Sequence, residues 1–440
     1  MTRLMLLVLV CSLAHSFAQE RLRVMVETDA GGDPDDEQSM VRFLLYASEW
    51  DVEGIIATRP VARAGENRNT ERTGLGIMRR MLDAYAECHP NLLRHDPRFP
   101  DPVQLRAKTV PGYGDEDAGV RLIIDAVDSK DPRPLWFMNW GTDHGSAPSS
   151  LKRALDQVLK ERGPEGYARF KSRVYLSSYD KFDDHTWKIE PPFPLWVDTF
   201  RPPVENKRWY HRFSAITARA GGFDVLSDVL QGHGPLGALY PTNTTHWLKE
   251  GDTMTFLYLL PAGLNDPHHP EWGSWAGRYG PQPEAGERRY YWANQTDAWR
   301  GNVDRDNTLL RWAAHLQNDF RARLDWCVKP FAEANHKPVA VLNGDRTGAI
   351  LRFKARSGST VELSGQGTSD PDGNKLSFTW LPYPEAGTYR GEVELVGSGD
   401  QVRLKVPPEG AGKEIHWVLV VEDDGAPSLA AYRRVIIAID

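Results

Sequence analysis

The chain has 440 residues and a formal net charge of −7, from 60 acidic and 53 basic side chains. That length predicts two or three domains, and the acidic balance argues against a nucleic-acid polymer as main partner, because such binders are usually basic. Fifteen tryptophans suit a neutral carbohydrate ligand, since the C–H faces of sugars stack on indole rings.

Residues 1–18 form a predicted secretory signal peptide. Arg3 supplies the positive end, residues 4–13 the apolar core, and Ser16-Phe17-Ala18 a cleavage site before Gln19. The apolar core is too short to span a bilayer, and no later stretch is long and apolar enough to be a membrane helix. We therefore expect a secreted or periplasmic protein, cleaved after Ala18, with no membrane partner.

Two cysteines, Cys88 and Cys327, remain after cleavage. One disulfide between them is possible in an oxidising compartment, but two cysteines are not a disulfide framework. They are also too few for a zinc site built of thiolates.

The most distinctive stretch is the acidic loop, residues 27–36, which holds five acidic side chains in ten residues. It follows an alternating apolar run that predicts a strand and precedes an apolar periodicity that predicts a helix. Open α/β sheets place their ligands at such strand ends, and Ca²⁺ would neutralise the carboxylates. The alternative is a solvated acidic turn, with Asp35 or Asp36 capping the helix.

The chain up to residue 178 alternates between predicted strands and helices. Residues 21–58 form a βαβ unit, and residues 134–139 and 173–178 predict two further buried strands. Residues 89–118 are rich in Pro, Asp and Gly and predict a long surface loop. The pattern predicts an α/β fold with an open, mostly parallel, doubly wound sheet and its site on one edge.

Polar side chains after these strands are candidate ligand contacts. They are Asn67, Asn139 and Asp180, although a surface turn is an equal explanation for Asn67. Further along, Asp252 precedes the apolar run 254–260, where the ordinary role of such a residue is to cap a helix.

Residues 261–300 have no clear period and are rich in aromatic side chains. They are the best candidate for a lid that stacks on sugars, with Asn265, Trp272 and Trp275 as contacts. An apolar helical pattern from Leu309 then closes the first domain, predicted to span residues 19–334.

Short predicted strands separated by turns follow from residue 335. They indicate an immunoglobulin-like all-β sandwich over residues 335–440. The acidic turn at residues 369–374 either binds Ca²⁺ or is purely structural, and a structural turn is the favoured interpretation.

The opening stretch, its helix and residues 52–67 resemble the start of nucleoside hydrolases, which open with Asp-x-Asp-Pro-Gly-x-Asp-Asp. One secreted branch of that superfamily, labelled as cellulose-binding and carrying a C-terminal β-sandwich, is similar over nearly the whole mature chain. The similar segments are residues 33–39, 234–241, 250–253 and 317–326.

The resemblance implies a Ca²⁺ site held by Asp29, Asp35, Asp36 and Asp252, with Asp29 as the base that takes a proton from water. Asn67 would contact a sugar hydroxyl. Three departures accompany it: Glu27 replaces the first aspartate, the loop between Asp29 and Asp35 is two residues longer, and Gly251 stands where a histidine is common. Either the metal geometry changes or Asp33 takes over a ligand role.

Three functions are consistent with these residues. The first is a secreted, Ca²⁺-dependent glycoside hydrolase in which activated water attacks an anomeric carbon. The second is a carbohydrate-binding protein, for cellulose or another glycan, that reuses a hydrolase fold without turnover. The third is a true nucleoside N-ribohydrolase, which the missing histidine and the added sandwich disfavour.

Overall fold

The computed structural model describes residues 20–63, 70–114, 117–142, 149–178, 193–199, 212–242 and 248–440. The predicted signal peptide lies outside these residues. Among the helices described, none is long and apolar enough to cross a lipid bilayer.

An eight-stranded sheet organises the first part of the chain, in the order β3-β2-β1-β4-β5-β6-β8-β7. Every neighbouring pair is parallel except β7 and β8. The bounds are β1 Arg23–Thr28, β2 Asp51–Ala57, β3 Thr109–Pro111, β4 Leu135–Asn139, β5 Val174–Ser178, β6 Trp196–Asp198, β7 Gly280–Pro281 and β8 Tyr290–Trp292. The predicted mostly parallel α/β sheet is confirmed.

Helices cover both faces of this sheet, so two apolar clusters form its core. Strands covered on both faces are apolar throughout, as β4 is with all five residues buried. The helices are α1 Asp35–Tyr46, α2 Gly74–His95, α3 Pro102–Ala107, α4 Ala118–Asp128, α5 Ser150–Lys171, α6 Arg212–Thr217, α7 Gly234–Ala238, α8 Thr253–Leu257, α9 Asn307–Leu310 and α10 Ala313–Trp326.

The long surface loop predicted at residues 89–118 is wrong over much of its length. Helix α2 continues to His95 through Pro90, and Asp101 caps α3 by accepting hydrogen bonds from two backbone N–H groups. Strand β3 then joins the sheet beside β2. Its three residues are too few to show an alternating pattern, so only pairing with β2 reveals it.

The C-terminal part forms two facing sheets, which confirms the predicted β-sandwich. One has the order β11-β17-β16-β13 and the other β12-β15-β14, and both contribute side chains to a separate apolar core. The bounds are β9 Asp297–Trp299 and β10 Asn302–Asp304, a hairpin before the sandwich, then β11 Leu351–Ala355, β12 Thr360–Ser364, β13 Leu376–Pro382, β14 Leu395–Ser398, β15 Gln401–Lys405, β16 Glu414–Asp423 and β17 Ala430–Ile439.

The sandwich packs directly on the α/β part through a buried polar seam. Arg434 on β17 donates to the carbonyl oxygens of Leu264 and Trp272 at 2.5 and 2.7 Å. Tyr383 donates to Asp297 Oδ2 at 2.7 Å. Because all of these groups are buried, their partners must stay in place to avoid unpaired polar groups. The two parts therefore share one continuous packed interface.

Candidate functional site

The acidic loop leaves the sheet at the carboxyl end of β1, an inner strand between β2 and β4. The parallel neighbours β2 and β4 end beside it: Thr58 N donates to Thr28 O at 2.9 Å, and Trp140 N donates to Glu27 O at 2.8 Å. Three loops therefore open at one edge of the sheet, where parallel sheets place their ligands.

Two glycines let these loops approach one another closely. A side chain at Gly32 would place its Cβ 2.7 Å from Arg59 Nη2, and one at Gly141 would lie 2.6 Å from Asp29 Oδ1. Gly141 also has a φ of +145°, which strains any other residue. Glycine at both positions allows the loops after β2 and β4 to close around Asp29.

Three carboxylates gather at the start of α1. One oxygen from each of Asp33, Asp35 and Asp36 lies within 4.8 Å of the others. Asp35 and Asp36 are only 4 and 2 % exposed, and no side chain caps α1 at its N-terminus. A solvated acidic turn that caps the helix does not describe this arrangement, because these two carboxylates are buried.

Asp252 approaches the same cluster from the chain segment before α8. Its side chain is 1 % exposed and makes no capping hydrogen bond to α8. Its Oδ2 atom is buried without a hydrogen-bond partner. An unpartnered buried carboxylate oxygen costs free energy, so this atom is available to a cation.

The carboxyl groups influence one another's pKa. Burial, together with the charges of Asp252 and Asp33, raises the pKa of Asp35 well above its usual range, against the opposing charge of Lys249. Burial and the charges of Asp252, Asp29 and Asp35 likewise raise the pKa of Asp36. Burial, Asp29 and Asp33 raise the pKa of Asp252. Asp29 N donates to Asp36 Oδ1 at 3.1 Å, so Asp29 lies against the cluster, and the charge of Asp252 acts on both Asp35 and Asp36.

Two basic side chains that the sequence reasoning missed contact the cluster. Arg59 Nη2 forms an ion pair with Asp29 Oδ2 at 2.9 Å, while its Nε donates to Asp29 O at 3.0 Å. Lys249 Nζ forms an ion pair with Asp33 Oδ2 and lies 3.6 Å from Asp35 Oδ1. The signal that could have found Lys249 is its place three residues before Asp252.

A buried frame positions Lys249. Gln38 Oε1 accepts hydrogen bonds from the backbone N–H groups of Lys249 and Glu250, at 2.7 and 3.2 Å. The Glu250 side chain is fully buried and pairs with Arg42 at 2.5 and 3.0 Å. Glu250 also has a φ of +43°, a conformation that persists only when its surroundings hold it.

Glu27 and Asn139 hold the loop after β4 in position through buried hydrogen bonds. Glu27 is fully buried and accepts from Ser150 N at 2.7 Å and from Asn139 Nδ2 at 3.2 Å. Asn139 Oδ1 in turn accepts from Gly141 N at 2.8 Å. Asn139 therefore holds the loop after β4 in place, and its side chain is engaged on both sides by protein groups.

The predicted lid residues lie at the domain seam. Trp272 and Trp275 are 5 and 4 % exposed. Trp275 Nε1 donates to Tyr432 Oη at 3.2 Å, and the Trp272 ring stacks on His269 with centroids 3.8 Å apart. Asn265, also buried, donates to Tyr258 O at 2.8 Å. These positions leave little indole surface for a sugar.

The remaining candidates divide into two groups. Asn67 and Asp180 lie outside the described residues. Cys88 and Cys327 are buried free thiols, and both lie within 4 Å of the position that a Cβ atom on Gly234 would take.

The donor set fits a hard divalent cation. Asp29, Asp35, Asp36 and Asp252 provide carboxylate oxygens of the kind that Ca²⁺ prefers, and Asp33 adds a fifth. The unpartnered Oδ2 of Asp252 and the excess of carboxylates over basic groups both favour a cation there.

Comparison with known proteins agrees with this architecture. A family model described as the nucleoside hydrolase-like domain of cellulose-binding Sde182 matches residues 23–279, and the C-terminal domain of cellulose-binding protein Sde0182 matches residues 360–439. No match was found among curated proteins.

Among solved structures, a nucleoside hydrolase-related hypothetical protein from Saccharophagus degradans, associated with carbohydrate metabolism, is 31 % identical. The alignment covers 96 % of this chain and 100 % of that one, with a TM-score of 0.71. The effector protein XOO4466 is 12 % identical over 70 % of this chain and 95 % of its own, with a TM-score of 0.34, too low to bear on function. The chain belongs to the cellulose-binding family with a nucleoside hydrolase-like domain and a C-terminal sandwich domain.

Proposed function

We propose that this protein is a Ca²⁺-dependent glycoside hydrolase that acts on a carbohydrate at the carboxyl edge of the β1 strand. The observation that carries the proposal is the buried carboxylate cluster with an unpartnered oxygen on Asp252. The family's association with carbohydrate supports a glycan over a nucleoside as substrate.

The residues of the cluster suit hydrolysis at an anomeric carbon. Asp29 is the least buried of the four proposed ligands, with a side chain 23 % exposed, so it can accept a proton from an attacking water. The surrounding negative charge stabilises an oxocarbenium-like transition state. A bound divalent cation supplies the charge that makes water easier to deprotonate.

Activity on soluble and insoluble glucans tests this function. We expect new reducing ends from cello-oligosaccharides in Ca²⁺, none in chelator, and a loss of at least about a hundredfold for Asp29→Asn, the scale of general-base catalysis. Asp156→Asn is a matched control, because Asp156 is exposed and its ion pair among the described residues is with Lys152, one turn away on the same helix. Full activity of Asp29→Asn would refute the assigned base.

A second candidate, carbohydrate binding without turnover, rests on a specific observation. Arg59 Nη2 lies 2.9 Å from Asp29 Oδ2, so the ion pair engages one of the two oxygens that the assigned base would use to accept a proton from water. In that case cellulose pull-down persists in chelator and in Asp29→Asn, and no reducing ends are formed.

Export is also part of the proposal. Sequencing the N-terminus of protein recovered from outside the cytoplasm should begin at Gln19. A start at Met1 would refute cleavage after Ala18.

A further inference from the structure

Lys249 places a positive charge inside the carboxylate cluster. Its ammonium group pairs with Asp33 and lies 3.6 Å from Asp35 Oδ1. Lys249 is only 9 % exposed, so water screens these interactions far less than it screens a surface pair. The same two carboxylates face the space that a cation would share with Asp36.

The position of Lys249 is built into the fold. Its backbone is held by Gln38 on α1, and the next residue, Glu250, is locked by the buried pair with Arg42. Gln38 Nε2 also donates to Pro241 O at 2.7 Å. The ammonium group therefore reaches the cluster from a rigid base, and only the flexible side chain can move.

The balance of charges at the cluster determines how Lys249 would affect a bound cation. Within the part of the chain that the structure describes, the site holds the carboxylates of Asp29, Asp33, Asp35, Asp36 and Asp252 and the basic groups of Arg59 and Lys249. A divalent cation at Asp33 and Asp35 would repel the ammonium group across a few ångströms, and in a buried site that repulsion is large.

We propose that Lys249 is an internal counter-ion that competes with a divalent cation for Asp33 and Asp35. In the metal-free protein the ammonium group neutralises the carboxylate that the longer loop adds, Asp33. Binding of the cation displaces the ammonium group toward solvent, so Lys249 lowers the affinity of the site. The inference rests on the proposed metal site but concerns a residue outside the ligand set.

Calcium affinity of the full-length mature protein, measured by isothermal titration calorimetry, tests the proposal. Lys249→Met keeps the apolar stem and removes the charge, so we expect the dissociation constant for Ca²⁺ to fall by about tenfold or more. Lys249→Arg should stay close to wild type. The control Lys108→Met removes a half-exposed lysine that pairs with Glu53, and it should change the affinity by less than about twofold.

Thermal unfolding in chelator provides a second readout. Lys249→Met should melt at a lower temperature than wild type in chelator and recover in Ca²⁺, because the cluster then lacks its counter-ion. If Lys249→Met does not fold without metal, Lys249→Gln, which retains a hydrogen-bond donor, replaces it in both measurements.

The outcomes separate this proposal from the proposed function. Wild-type binding with equal or weaker binding by Lys249→Met overturns the role of Lys249 and leaves the metal site standing. Binding by Lys249→Met alone supports the counter-ion and overturns a Ca²⁺-dependent wild-type enzyme. If neither protein binds Ca²⁺, both proposals are overturned.

Discussion

Replacing Asp252 with asparagine should stabilise the metal-free protein and weaken its response to calcium. Asn has nearly the same shape but no charge, and Asp252 is 1 % exposed with an unpartnered Oδ2. Burial and the charges of Asp29 and Asp33 disfavour the charged form of Asp252, whereas the neutral amide of Asn avoids that repulsion and can donate hydrogen bonds to the neighbouring carboxylates; a hydrogen bond to a charged group contributes about 1.5–3 kcal/mol. We therefore expect the free energy of unfolding in chelator to rise by about 1–3 kcal/mol.

Calcium should offset this difference in stability. A ligand at a hundred times its dissociation constant stabilises the folded state by about 2.7 kcal/mol, and Asp252→Asn should lose most of that gain. Denaturant unfolding followed by tryptophan fluorescence, in chelator and in Ca²⁺, measures both effects, with Asp156→Asn as the control. A less stable Asp252→Asn in chelator, or a calcium response equal to wild type, would refute the reasoning.

Further predictions concern stability away from the cluster. Burial alone would raise the pKa of Glu49, but the charges of Lys337, Arg323 and Arg98 outweigh burial and lower the pKa to about 2. The charged Glu49 therefore stabilises the folded protein by about 3 kcal/mol. This stabilisation is present above the pKa of Glu49 in the unfolded chain and is lost as the pH falls toward 2. Glu49→Gln should flatten the loss of stability over that acid range, and an unchanged slope contradicts this. Arg434→Met should lower the free energy of unfolding by about 2–6 kcal/mol, since it leaves two buried carbonyl oxygens without their donor at about 1–3 kcal/mol each. The exposed Arg403→Met should change it little. Since Cys88 and Cys327 both lie beside Gly234, oxidised glutathione should convert them to a disulfide, detected as loss of both thiols in the denatured protein; two thiols remaining would refute it.

The local pattern of apolar and polar residues was sufficient to predict the main strands of both parts of the chain. The alternating run before Glu27 predicts β1 by its period of two, and the apolar stretch 134–139 predicts β4 because that strand is covered on both faces. Short runs of strand-forming residues separated by turns predict the sandwich. Strand β3 could not be found this way, since its three residues gain their strand conformation from pairing with β2.

The acidic loop was predictable as a candidate site because its charge density is local. What the sequence could not show is which charges meet. Lys249 and Asp33 are 216 residues apart, and Arg59 reaches Asp29 only because β2 lies parallel to β1. Likewise, tryptophan content suggested a sugar-stacking lid, but the sandwich covers Trp272 and Trp275.

The sequence by itself determined that residues 27–36 are a strand-end loop rich in carboxylates, since that follows from residue type and short-range periodicity. The family resemblance implied that Asp252 joins this loop, but only the tertiary structure decided that its Oδ2 atom is buried without a hydrogen-bond partner and that Lys249 and Arg59 oppose the charge of the cluster. The physical reason is that electrostatic interactions depend on distance and burial in space, and chain separation determines neither.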